Sequence, residues 1–259
     1  MSIVLKNGEF NYIGNDIDKQ IWVMEVNSIG NDEYKLIHWL SGKDALVNNV
    51  WVDKVGTKYD NESFDFEKIG NIKKNDDNYY IDNGDINYFI NRFPHEFKFG
   101  KDWYMQVTLK FNDIITNTNY EKSETSLDLG SVTFTPANTF SIGLGRIYKD
   151  NKTIFNSNCK AYFNNANTLA YSTNELPINQ KIVLKSGIKP INETQSKSFV
   201  EYNGVVTYGN VPFVTYSIPN GSYANWINNF YIGRGVATKY SSKDINIYDI
   251  KIYKNKKEL

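Results

Sequence analysis

The stretch Trp103-Tyr104-Met105-Gln106-Val107-Thr108-Leu109-Lys110-Phe111 alternates without a break. Trp103, Met105, Val107, Leu109 and Phe111 fall on one side, and Tyr104, Gln106, Thr108 and Lys110 on the other. A period of two is what a strand with one buried face requires. Outward from it, residues 20–26, 182–185, 198–202, 229–232 and 248–253 repeat the pattern in shorter form. In the last of these, Tyr248, Ile250 and Ile252 are expected on one face, with Asp249, Lys251 and Tyr253 on the other. Residues 33–40 read either as a short helical turn or as a strand, and no window of about a dozen residues holds a helical period. Asn-Gly pairs punctuate the chain at Asn7-Gly8, Asn83-Gly84, Asn203-Gly204 and Asn220-Gly221. Such pairs suit type I′ hairpins, because both residues tolerate positive φ. Many short strands with frequent turns predict an all-β sandwich or jelly roll.

The bulk composition narrows the function. The 259 residues carry 29 basic and 29 acidic side chains. A neutral chain has no global field to draw in nucleic acid or an anionic membrane. Aromatic residues make up 15% of the sequence, which argues against disorder. The lone Cys159 excludes an internal disulfide framework and a multi-cysteine zinc site. No run approaches the ~20 apolar residues of a membrane span. The opening residues show no basic segment followed by an apolar run, so no secretory signal is read there. Zero net charge with 35 Asn predicts a surface of amides, suited to subunit packing or hydroxyl-rich ligands. Most aromatic side chains are expected in the core.

Three segments resemble, in order, the laminin-G-like form of the concanavalin A-like lectin/glucanase fold. The first runs from Leu36-Ile37-His38-Trp39-Leu40 through Trp51-Val52-Asp53 to Tyr79-Tyr80-Ile81. The second is Glu96-Phe97-Lys98-Phe99 followed by the Trp103–Phe111 strand. The third joins Glu201-Tyr202-Asn203-Gly204 to Tyr231-Ile232-Gly233 and to Ile247-Tyr248-Asp249-Ile250-Lys251-Ile252-Tyr253. The resemblance implies a two-sheet antiparallel jelly-roll sandwich over residues 34–259, with its first and last core strands adjacent. Residues 1–33 then form a β-rich extension that docks on a partner or adds edge strands.

Glycosidases of the fold use paired carboxylates, roughly 5–5.5 Å apart for retention. The nearest match, Glu62, Asp65 and Glu67, has Glu62 out of register and lies before the core strands. His38 and His95 form no local metal or protease motif. Cys159 reads as an inert thiol, and Gly143-Leu144-Gly145 reads as a close strand approach rather than a phosphate loop. No catalytic residue is assigned, and the protein is expected not to be an enzyme. Laminin-G-like domains often hold Ca²⁺, and Asp76, Asp77, Asp82 and Asp85 supply hard oxygen ligands for it. No other cofactor is expected. Sugar recognition needs aromatic faces for C–H groups and amides for hydroxyls. Tyr162 and Asn164 in one Asn-rich loop, and Tyr223, Asn225 and Trp226 in another, offer both.

Such domains act outside the producing cell. With no secretory signal read, the expectation is a virion protein of the bacteriophage kind, released by lysis. It would be a tail fibre, receptor-binding or head-fibre subunit that packs against other virion subunits or itself as a homo-oligomer. It would also contact a cell-surface glycan. The alternatives are a carbohydrate-active hydrolase and a purely architectural capsid or neck protein.

Overall fold

The computed structural model describes residues 3–6, 9–12, 33–55, 64–93, 102–113, 124–134, 138–149, 152–161, 166–210, 213–214, 228–234 and 243–259. Strands β1 (Ile3–Lys6) and β2 (Glu9–Tyr12) pair with each other. Next come β3 (Tyr34–Ser41), β4 (Val50–Trp51), β5 (Phe66–Ile69), β6 (Lys73–Lys74), β7 (Tyr79–Asn83), β8 (Tyr88–Phe93) and β9 (Trp103–Phe111). They are followed by β10 (Glu124–Phe134), β11 (Asn138–Lys149), β12 (Lys152–Ala161), β13 (Ala166–Glu175), β14 (Lys181–Pro190) and β15 (Gln195–Tyr202). The last are β16 (Val205–Tyr208), β17 (Phe213–Val214), β18 (Asn228–Ile232) and β19 (Lys243–Asn255). Residues 33–40, ambiguous in sequence, form strand from Tyr34 onward.

Apart from the separate β1–β2 pair, these strands make two antiparallel sheets, as the jelly-roll reading requires. The smaller is eight-stranded, in the order β13-β12-β11-β10-β18-β8-β5-β4. The larger is nine-stranded, with the path β16-β15-β14-β9-β19-β7-β6, β17 beside β15 and β3 beside β19. Strand β9 sits between β14 and β19, and β19 pairs on its far edge with β7 and then β3. The first and last core strands are therefore neighbours, as expected.

Alternation places the core. The five odd-numbered residues of β9 are all buried, and the four even-numbered ones are half-exposed on the outer face. Facing them from the smaller sheet are Leu144, Phe155, Ala170, Phe89 and Ile232. An aromatic trio ties the sheets together. The Trp51 ring centroid lies 4.8 Å from Tyr79 and 4.9 Å from Phe89. Trp51 and Phe89 belong to the smaller sheet and Tyr79 to the larger. The polar ends of two of these rings are satisfied locally, since Trp51 Nε1 donates to the Ser41 carbonyl at 2.9 Å and the Tyr79 hydroxyl to the Asp44 carbonyl at 2.5 Å. Buried aromatics need such partners.

Two turn readings divide. Asn203 and Gly204, at φ of 51° and 73°, close the two-residue hairpin between β15 and β16. Asn83-Gly84 does not close a hairpin. The Asn83 carbonyl accepts from the amides of Ile86 and Asn87, and the chain crosses from β7 in one sheet to β8 in the other. Asn7-Gly8 and Asn220-Gly221 lie outside the described residues.

The last strand corrects the expected facing of Tyr248. Ile247 pairs with Leu109 and Asp249 with Thr108, so the register shifts by one residue at Tyr248. This bulge keeps Ile245, Ile247, Ile250 and Ile252 all in the core. Tyr248 is left half-buried, its ring 4.0 Å from the Nζ of Lys181, a residue of the outer face.

The amides are also less available than their number suggests. Asn78, Asn87, Asn91, Asn246 and Asn255 are all buried. Asn246 Nδ2 donates to Asn78 Oδ1 at 2.7 Å, and Asn112 Nδ2 to Asn246 Oδ1 at 2.7 Å, so an amide ladder crosses the sheet.

Replacing Leu109 by Ala should cost about 2–5 kcal/mol of stability, as for other buried leucines. Val183→Thr, on the outer face of β14, should stay within about 0.5 kcal/mol. Urea unfolding of the two variants checks the facing of the sheet.

Candidate functional site

The outer face of the larger sheet gathers polar and aromatic side chains from several strands. Its positions follow from register. Tyr253 pairs with Tyr104, Tyr104 with Gly187, Gly187 with Phe199, and Phe199 with Tyr208. Five strands thus contribute to one transverse row. The neighbouring row runs Trp39, Lys251, Gln106, Lys185, Glu201 and Val206.

The rings of the first row pack against one another. Tyr104 and Tyr253 are stacked at 4.7 Å with 17° between planes, and Tyr34 meets Tyr104 edge-on at 5.0 Å. Phe199 lies 6.3 Å from Tyr208, which is 46% exposed. Gly187 is the gap in this row. A Cβ there would stand 2.1 Å from the Trp103 carbonyl oxygen and 2.6 Å from Tyr104 Cα, so the close approach of β9 dictates glycine.

Charges surround the rings. Lys185 Nζ is 2.9 Å from Glu201 Oε1 and 5.9 Å from the Tyr104 ring. Lys189 Nζ lies 5.7 Å from both Tyr34 and Phe199. The Trp39 indole takes Lys54 at 4.5 Å and Lys251 at 4.8 Å, and its Nε1 donates to Asp249 Oδ1 at 2.9 Å. Burial, then the neighbouring Tyr253 and Glu201, raises the Tyr104 hydroxyl well above the ordinary phenol range. Burial, followed by the hydrogen bond to Asp102, does the same for Tyr34. Burial and then Asp249 raise Tyr253. These phenols stay protonated and neutral, able both to donate and to accept hydrogen bonds.

The residues singled out from sequence fall elsewhere. Tyr162, Asn164, Tyr223, Asn225 and Trp226 lie outside the described residues, as do Glu62 and His95. The calcium candidates sit at opposite ends of β7, roughly 16 Å apart along the strand. Asp77 Oδ1 accepts from Asn78 Nδ2, and Asp82 Oδ1 accepts from Asn87 Nδ2 and the Asn83 amide. The Asp85 amide donates to Asn83 Oδ1, and the Asp76 carbonyl accepts from Lys74 Nζ. Among the described residues no three His, Cys, Asp or Glu side chains gather where a metal ion would fit. Gly143-Leu144-Gly145 is mid-strand in β11, with Leu144 buried in the core.

The Trp51-Val52-Asp53 segment is structural. Asp53 Oδ2 meets His38 Nδ1 at 2.8 Å, and both side chains are buried. Asp53 Oδ1 accepts from the amides of Trp39 and Val55, and the Asp53 amide donates to Asp65 Oδ1. His38 stacks on Phe64 at 4.7 Å. Asp65 is thus engaged in this anchor.

Sequence reasoning overlooked the face because its members are far apart along the chain. One signal was present, namely Tyr104, an aromatic residue on the polar side of the alternating strand.

No family model matches the chain, and no curated protein does so either. Solved structures do. The receptor-binding domain of botulinum neurotoxin type G is 9% identical over 85% of this chain and 48% of that one, with a TM-score of 0.51. Alginate lyase Aly36B is 10% identical over 86% of this chain and 97% of that one, at 0.47. The metal-free carbohydrate recognition domain of Emp46p is 8% identical over 72% of this chain and 87% of that one, at 0.42. At these identities the likeness is one of fold, a β-sandwich that carbohydrate-active and lectin domains also use.

The expectation that the protein is not an enzyme is corrected by this comparison, since a polysaccharide lyase stands on a similar sandwich. The physical reason is that a sheet face assembles side chains from distant strands. A missing local motif therefore excludes no chemistry. Nothing in these likenesses speaks for a bacteriophage or a virion. Among the described residues no helix is long and apolar enough to cross a membrane.

Asp53→Ala leaves His38 and two amides without their acceptor, and should cost about 3–5 kcal/mol by chemical unfolding. High pH probes the phenols. Burial first, then Asp44, raises Tyr79 to about 12, and a side-chain hydrogen bond with Asp244 leads the causes that raise Tyr80 to about 12. A phenol with a higher pKa in the fold than in the unfolded chain stabilises the fold while protonated. That contribution is complete below pH about 10 and disappears as pH rises through about 12. Unfolding free energy should therefore fall across that interval, and Tyr79→Phe should flatten part of the fall.

Proposed function

We propose that the protein binds carbohydrate on the outer face of its larger sheet. The half-buried Tyr104 and Tyr253 and the exposed Tyr208, set in one transverse row through the buried Gly187 and Phe199, are the observation that carries this reading. A pyranose ring has an apolar C–H side and a hydroxylated rim. Aromatic side chains match the first, and fixed donors and acceptors match the second. Beside the row, Lys185 and Glu201 form a paired donor and acceptor at 2.9 Å. Gln106, half-exposed between Lys185 and Lys251, adds an amide. From β19 to β16 the row spans roughly 19 Å, at the usual strand spacing, which suits a polymer more than a single sugar. The reading rests on these side chains and not on fold likeness.

Affinity electrophoresis in gels cast with soluble polysaccharides tests the assignment. The wild type should be retarded by at least one polymer. Tyr208→Ala and Tyr104→Leu should each weaken retardation about tenfold, equivalent to about 1.4 kcal/mol of lost contact. Val47→Ser, an exposed change in the turn before β4, should leave it unchanged. Retardation that survives both aromatic substitutions would overturn the reading.

A further inference from the structure

We infer that the polymer this face takes is acidic, bearing an anionic group such as a carboxylate or sulfate on its sugars; this rests on the carbohydrate reading above. The chain as a whole is neutral, with 29 charges of each sign. The outer face is not. Across β9, β14, β15 and the bulged half of β19 it presents Lys110, Lys181, Lys185, Lys189, Lys197 and Lys251, against Glu201, Asp249 and Asp77, the last paired with Lys181 at 3.7 Å. This is a local cationic field on a molecule that has none overall, and such patches raise the local concentration of anions.

The placement of the ammonium groups is specific. Lys185 and Lys251 flank Gln106 in one row at backbone positions two strands apart, with the Lys185 ammonium on Glu201 of β15 and the Lys251 ammonium over Trp39 of β3. Lys189 and Lys251 have no carboxylate partner among the described residues. They rest instead on aromatic rings, Lys189 near Tyr34 and Phe199, and Lys251 on Trp39. Cation–π contacts of this kind hold the side chain in place while leaving its charge unneutralised. A uronic acid offers an apolar ring face with a carboxylate at its edge, and the sheet face offers rings with ammonium groups at theirs. Single-stranded nucleic acid also seeks rings and lysines. However, Glu201 and Asp249 stand beside the lysines, and a sugar polymer offers several hydroxyl donors on each residue where single-stranded nucleic acid offers few. The same carboxylates accept readily from sugar hydroxyls.

Calorimetric titration of the full chain decides the matter. The probes are a polyuronate, the same polymer reduced at its carboxyls to a neutral glycan, a sulfated galactan, a neutral glucan and a single-stranded oligonucleotide. The acidic polymers should bind at least about tenfold tighter than the reduced one at low salt, and weaken as salt rises from about 0.05 to about 0.5 M. Whichever acidic polymer binds tighter identifies the anionic group. Lys251→Gln and Lys189→Gln should each cost about two- to fivefold with no change in melting temperature. Equal binding of the acidic and reduced polymers would overturn the inference and leave the carbohydrate reading standing. Binding to no glycan would overturn both. An oligonucleotide bound as tightly as the polyuronate, through the same lysines, would overturn the inference in favour of nucleic acid.

Discussion

Strand β19 must hydrogen-bond along both edges while keeping its isoleucines in the core, and the bulge at Tyr248 reconciles these demands. On one edge it matches β9, and on the other it matches β7 and then β3. A strand without the bulge would bury alternate residues throughout, which would send Ile250 and Ile252 to the outside. The one-residue shift keeps Ile245, Ile247, Ile250 and Ile252 inside and places Asp249 where it receives the Trp39 indole N–H. The outer face inherits its arrangement from that correction. Lys251 and Tyr253 reach Trp39 and Tyr104 because the register beyond Tyr248 is offset.

Much of the architecture could be read in the sequence, and the exceptions have physical causes. The alternation from Trp103 to Phe111 survives intact because β9 is central and one of its faces is fully covered. The Asn203-Gly204 hairpin was recognisable because its strands pair directly across two residues. Asn83-Gly84 misled because the same dipeptide serves a crossing between sheets, and a local signal does not reveal where the chain goes next. Tyr248 misled because a bulge inverts parity. The change is visible only as a slip from odd-numbered to even-numbered isoleucines. Asn was read as surface chemistry, yet several of its amides are structural partners beneath the surface.

The candidate site was far less legible. Tyr104, Gly187, Phe199, Tyr208 and Tyr253 become neighbours only through strand order and register, which no spacing rule encodes. The aromatic and amide residues chosen for sugar binding lie outside the described residues, and of the carboxylates chosen for calcium those of Asp77 and Asp82 are engaged in turns. Zero net charge proved the weakest guide of all. It is an average over faces, and the larger sheet segregates lysines to one of them. Architecture and activity are separable here in the usual way, since the sandwich fixes where side chains stand and leaves their identity to each chain.

The pairing of β19 with β3 joins Trp39 to Asp249 across 210 positions. During translation, β3 and β9 emerge long before the strand that must lie between them. Until residues 243–255 have left the ribosome, both present unpaired edges, and the inner face of β9 lacks its flanking isoleucines. Assembly of the larger sheet must therefore wait for residues 243–255, and closure over such distances is slow. Truncation within β19 should release a protein that collapses and associates through those edges. Chaperone dependence would then belong to the topology of this sandwich, whatever its ligand.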